Sequence, residues 1–119
     1  MNGQGVKSLI FVGDSHRVLR EFPEPVQRQV GYALYQAQVG NKHPDAKVLK
    51  RFAGVLEVVS DHRGDTFRTV YTVRLRRAVY VLHAFQKKSK HGIATPKSEI
   101  ELVKQRLRRA IEIDQDEEI

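Results

Sequence analysis

The chain contains no cysteine. A disulfide framework, a zinc–thiolate site and a thiol nucleophile are therefore excluded. No apolar run approaches the roughly 20 residues a membrane-crossing helix needs, and the first residues, MNGQGVK, hold no apolar segment of the signal-peptide kind. A soluble, cytoplasmic protein without a membrane partner is the expectation. His16, His43, His62, His83 and His91 are scattered, with no HExxH or HxH spacing, so neither a metal nor another cofactor is expected. The stretch GVKSLIFVGDS lacks the GxxxxGK pattern of a phosphate loop, and no serine sits in a nucleophile elbow. Internal repeats and low-complexity linkers are also missing.

What is present is positive charge. The 119 residues carry a formal net charge of +7, yet the last nine, IEIDQDEEI, hold five acids and no base. Residues 1–110 therefore set 21 bases against 9 acids, a net +12. We read residues 1–110 as a single domain and 111–119 as an acidic C-terminal tail, either solvated or folded back over the basic surface. A body this basic attracts polyanions through counterion release, which points to RNA or DNA; a solvated basic surface is the competing reading.

Val6–Val12 is short, β-branched and almost continuously apolar, as a central strand would be. Gly13 and Asp14 break it, and Asp14 or Ser15 is placed to cap a short helix with Val18, Leu19 and Phe22 on one face. Pro25 suits a first helical turn, Val26, Val30, Ala33, Leu34 and Ala37 recur at helical spacing, and Gly40-Asn41 is a stop signal. From residue 55 the period changes. VLEVVSDH, TFRTVYTVRL and AVYVLHAFQK read as a three-strand antiparallel meander joined by short turns. Thr95-Pro96 reads as an N-cap and first-turn proline, and Ile100, Val103, Leu107, Ala110 and Ile111 form the stripe of a final helix. The predicted order is β-α-α-β-β-β-α, an α+β fold with a small, mainly antiparallel sheet packed by helices.

Strand alternation puts Arg68, Val70, Thr72 and Arg74 on one face and Phe67, Thr69, Tyr71 and Val73 on the other. In the next strand, Val79, Val81, His83, Phe85 and Lys87 alternate with Tyr80, Leu82, Ala84, Gln86 and Lys88. Hairpin pairing brings His62, Arg68, Lys87 and Lys88 to one edge. Such cations can hold a phosphodiester. With RNA the 2′-hydroxyl is the nucleophile, so a base, an acid and cations suffice. His62, Tyr71, Lys87 and Lys88 are the candidate proton-transfer groups. Tyr71 lies on a largely apolar face, where a core tyrosine is the competing reading, and His83 reads as a satisfied core histidine. Arg68, in an apolar stretch, needs an anion or a carboxylate, and Glu57 on the neighbouring strand could be that carboxylate. Lys50, Arg51, Arg74 and Lys90 complete the candidate RNA contacts, with solvation the competing reading for Lys90.

FRTVYTV, followed by VYVLHAFQKKSKHGIATPKSEIELVKQRLRRA, resembles the RelE/ParE superfamily of toxin–antitoxin toxins, specifically its HigB-like, phage-derived branch. The features are Arg-x-x-Tyr in the third strand, Leu-His-x-Phe-x-Lys-Lys ending the fourth, and Thr-Pro opening the last helix. The likeness runs from about Ser8 to Ala110. It implies a RelE-like fold and a ribosome-dependent mRNA endonuclease acting without metal. It also implies a cognate antitoxin, commonly with a helix-turn-helix domain, as partner beside the ribosome and mRNA. Carried over by position, Arg68, Tyr71, Lys87 and Lys88 are the site residues, whereas His62 and Arg51 are added from geometry and charge. A ParE-like gyrase inhibitor or a phage-derived nucleic-acid-binding regulator is the alternative.

Overall fold

The computed structural model describes residues 5–87 and 95–116. The chain runs β1 (Ser8–Phe11), α1 (Ser15–Arg20), α2 (Glu24–Gln38), β2 (Ala46–Val48), β3 (Val55–His62), β4 (Asp65–Thr72), β5 (Ala78–Lys87) and α3 (Lys97–Asp116). The strands form one five-stranded sheet in the order β1-β5-β4-β3-β2, antiparallel except for the parallel β1–β5 pair. The α+β expectation holds, with β2 added. Three residues are too few for β2 to show an alternation in the sequence.

Helices cover both faces of the sheet. On one, Leu19, Phe22 and the α2 stripe Val26, Val30, Ala33, Leu34 and Ala37 pack on Val58, Phe67, Tyr71, Val79, Val81 and Ala84. Each fully buried Val or Leu of that stripe contributes about 1.5–3 kcal/mol. On the other face, Val103, Leu107 and Ala110 of α3 pack on Val70, Ala78, Tyr80 and Leu82. β1 was expected to be central, but it is an edge strand. Its run is continuously apolar because Leu9 and Phe11 meet the first cluster while Ile10 meets the second.

The β3–β4 hairpin turns on Arg63 and Gly64, with φ of 52° and 86°, the two positive values a type I′ turn requires. Asp14 makes no side-chain cap on α1; its carboxylate meets Arg17 and Arg106 instead. The hydroxyl of Thr95, the expected cap of α3, is turned to Glu57 and Arg68 on the sheet.

The closing helix continues through Asp116, so residues 111–116 are helix rather than tail. Asp114 is buried and accepts hydrogen bonds from the Arg76 and Arg77 N–H groups (3.2 and 3.0 Å) and from the Tyr80 hydroxyl (2.8 Å). It ties the end of α3 to the β4–β5 connection. Burial raises the Asp114 pKa, but these bonds and the Arg77 charge outweigh it and hold the carboxyl below its ordinary value. No described helix is long and apolar enough to cross a membrane.

Candidate RNA-binding cleft

β5 does not alternate uniformly. Val70 pairs with His83 and Tyr71 with Val81, so Leu82 is an extra, bulged residue. Before the bulge Ala78, Tyr80 and Leu82 face α3; after it His83, Phe85 and Lys87 do. The uniform alternation expected from the sequence is corrected accordingly, and Lys87 comes to stand beside Thr66, on the Arg68 side of the sheet.

α3 lies over β5 and leaves part of β3 and β4 uncovered. A cleft of about 700 Å³ opens there, lined by Val48, Leu49, Lys50, Arg51, Glu57, Arg68, Thr95, Lys97 and Ile100. At its base Arg68 Nη1 donates to both Glu57 carboxylate oxygens, at 3.1 and 3.2 Å. The Thr95 hydroxyl donates to Glu57 Oε2 at 3.1 Å and accepts from Arg68 Nη1 at 3.4 Å. Both partners of this ion pair are buried. The carboxylate that the strand pairing suggested for Arg68 is the one it meets.

Lys87, also buried, lies within electrostatic reach of Arg68 and Glu57. Burial, then the Arg68 charge, lowers its pKa; Glu57 pulls the other way without cancelling them. Lys50, Arg51 and Lys97 are exposed around the cleft. Arg51 has a φ of 82°, a left-handed conformation that costs a non-glycine residue about 1–2 kcal/mol.

Other expected site residues lie elsewhere. His62 pairs with Asp65, in phase with Ser60 and Phe67, and so stands on the α2 face, opposite Arg68. Tyr71 shares that face and is fully buried in the α2 cluster, where its hydroxyl makes no hydrogen bond and burial pushes its pKa up to about 12. The expectation that His62 reaches Arg68 fails because the two side chains point to opposite faces of the sheet, whereas Tyr71 lies on the face opposite Arg68 that strand alternation gave it. Arg74 packs against Gly54 and lines a separate cleft of about 350 Å³ with Ile111 and Asp114. Lys88, Lys90 and His91 lie outside the described residues. Sequence reasoning missed Thr95 and Lys97. Only the return path of α3 brings them here, and no local pattern encodes it.

Among solved structures, a substituted, free-state form of Escherichia coli toxin RelE is similar to this chain, with a TM-score of 0.57 at 14% identity over 88% of this chain and 98% of that one. The RelBE2 toxin–antitoxin complex from Mycobacterium tuberculosis aligns at a TM-score of 0.41 and 20% identity, over 75% of this chain and 100% of that one. The first likeness shows a RelE-like fold. No curated protein sequence matches the chain significantly. The sequence pattern of the family described as "Phage derived protein Gp49-like (DUF891)" matches residues 17–108. That span holds α2, the four strands after it and the Glu57–Arg68 pair, and on it the chain belongs to the Gp49-like family of phage-derived proteins.

Proposed function

We propose that this protein is the toxin of a toxin–antitoxin pair and cleaves mRNA on the ribosome, using the RNA 2′-hydroxyl as nucleophile. The observation that carries the reading is the buried Glu57–Arg68–Thr95 group at the base of an open cationic cleft. A carboxylate and an arginine are the base and the phosphate clamp this chemistry needs, and Lys50, Arg51 and Lys97 extend the positive potential outward. RelE-like architecture and membership of a phage-derived family agree with it.

In the proposed reaction Arg68 turns from Glu57 toward a non-bridging oxygen of the scissile phosphate. Glu57 takes the 2′-hydroxyl proton as the 2′-oxygen bonds to phosphorus. The bond to the 5′-oxygen breaks, and Lys87, more acidic than an ordinary lysine, supplies the proton to that leaving oxygen. The products are a 2′,3′-cyclic phosphate and a 5′-hydroxyl. Glu57, which was not among the sequence-derived proton-transfer candidates His62, Tyr71, Lys87 and Lys88, takes the role of base. A small helix-turn-helix antitoxin that holds the protein inactive is the proposed partner.

The test is induction of the wild type and of Glu57→Gln in cells, with transcript 5′ ends mapped by primer extension. Discrete cuts within codons for the wild type, absent for a folded Glu57→Gln, are expected. Intact mRNA together with a DNA-damage response would overturn the proposal in favour of a gyrase-directed inhibitor.

A further inference from the structure

A second polar group lies beside the Arg68 pair on the same face of the sheet, and the chemistry above does not use it. Gly13, at a φ of +61°, leaves room where a Cβ would stand 2.7 Å from Arg106 Nε. Asp14 Oδ1 takes Arg106 Nη2 at 2.8 Å. Held there, Arg106 Nη1 donates to the Leu82 carbonyl at 3.2 Å and to His83 Nδ1 at 3.0 Å. A guanidinium can only donate. His83 Nδ1 must therefore accept, which leaves the ring proton on Nε2 to be donated to Glu99 Oε1. With both nitrogens engaged and 5% exposure, His83 cannot meet a substrate. It is a link between Arg106 and the first turn of α3.

The Leu82 carbonyl belongs to the bulge, where the ladder is interrupted and an outside donor is needed. The bulge also decides which residues of β5 share a face. Were Leu82 drawn into a regular ladder instead of bulged, Lys87 would fall in phase with Val79 and Val81 and point toward α2.

We propose that Arg106 is a positioning residue for the cleft. Anchored by Gly13 and Asp14, it holds the bulge that keeps Lys87 beside Arg68. Through His83 and Glu99 it also fixes the turn that brings Lys97 and Ile100 to the cleft wall. The effect on RNA rests on the proposed function; the placement of Lys87 does not.

The test follows the titration of the Lys87 side chain by heteronuclear NMR in the full chain, alongside binding of a short single-stranded RNA. In Arg106→Leu, Lys87 is expected to titrate as an ordinary lysine and RNA affinity to fall at least about fivefold, on the order of the loss of one well-placed charge contact. Arg106→Lys, which keeps the charge but cannot span all three partners, should shift Lys87 partway. His83→Gln supplies an acceptor and a donor in place of the two ring nitrogens and should behave as wild type. A purely structural Arg106 would lower the melting temperature without moving the Lys87 titration. A folded Arg106→Leu with wild-type Lys87 titration overturns the proposal. If that variant does not fold, a wild-type titration in Arg106→Lys does so. A wild type that neither binds nor cuts RNA refutes the function proposed above and leaves the Lys87 result to decide this one.

Discussion

Replacing Arg68 by alanine should damage the fold before it reports on chemistry. The Arg68 and Glu57 side chains are only 9% and 8% exposed. Removing the guanidinium leaves a buried carboxylate with the Thr95 hydroxyl and the nearby Lys87 charge. Breaking a buried pair by deleting one partner costs about 3–5 kcal/mol. Lys87 softens the loss, so we expect the lower end, about 3 kcal/mol, or on the order of 10 °C in Tm. That is a large share of the roughly 5–15 kcal/mol a domain usually has. Replacing both partners, with Glu57→Leu and Arg68→Met together, removes both charges from the interior and should restore all but about 1 kcal/mol. Urea unfolding at pH 7, followed by circular dichroism, measures the three values. If Arg68→Ala loses less than about 1 kcal/mol with an unchanged m-value, the pair is solvated and the reasoning fails. Loss of toxicity in Arg68→Ala is therefore ambiguous, and Glu57→Gln or Arg68→Lys is the better probe.

Three further outcomes are expected. Tyr71→Phe removes a buried hydroxyl that makes no hydrogen bond; stability should stay level or rise by up to about 1 kcal/mol, and RNA cleavage should be unchanged. A large loss of cleavage in a stable Tyr71→Phe would return that residue to the site. Arg51→Gly relieves the left-handed strain at φ 82° while deleting a rim charge; thermal melts should show equal or higher stability, by up to about 1 kcal/mol, and anisotropy titrations weaker RNA binding. Asp114 has a folded-state pKa below its ordinary 3.8, so it stabilises the fold above pH 3.8, and that contribution disappears as pH falls through the folded value. Asp114→Asn should cost about 1–3 kcal/mol at pH 7 and flatten the acid limb of stability against pH, measured by urea titrations from pH 2 to 7.

The α2 stripe and the core of α3 were legible because helical period and burial are properties of a single segment. The two hairpins were legible because short turns leave little choice of partner. Arg68 and Glu57 could be paired in advance for the same reason, since adjacent strands at a known offset put the two side chains on one face. What failed depended on where the chain travels between segments. β1 looked central because it is packed on both faces, and only the sheet order reveals it as an edge. The end of α3 looked like a tail because its acids suggest solvent, whereas Asp114 is held by backbone donors that no sequence pattern announces. His62 was placed by proximity of strand ends, and the alternation of faces separates it from Arg68; Tyr71 entered through the family resemblance, although alternation already set it on the other face. Hairpin pairing brought Lys87 to the same edge as Arg68, but the uniform alternation kept it in phase with Val79 and Val81, and only the bulge at Leu82 puts it on the Arg68 side.

The bulge also bears on how relatives of this chain should be compared. An extra residue in β5 divides the strand into two halves that count in opposite phase. A related chain lacking it would reach the same arrangement of side chains with one residue fewer between the β4–β5 turn and its terminal lysine. Alignments should therefore be built inward from the two ends of β5, with any gap placed at Leu82. An ungapped alignment through that point would match Lys87 to residues on the wrong side of the sheet, and a retained cleft would be mistaken for a lost one.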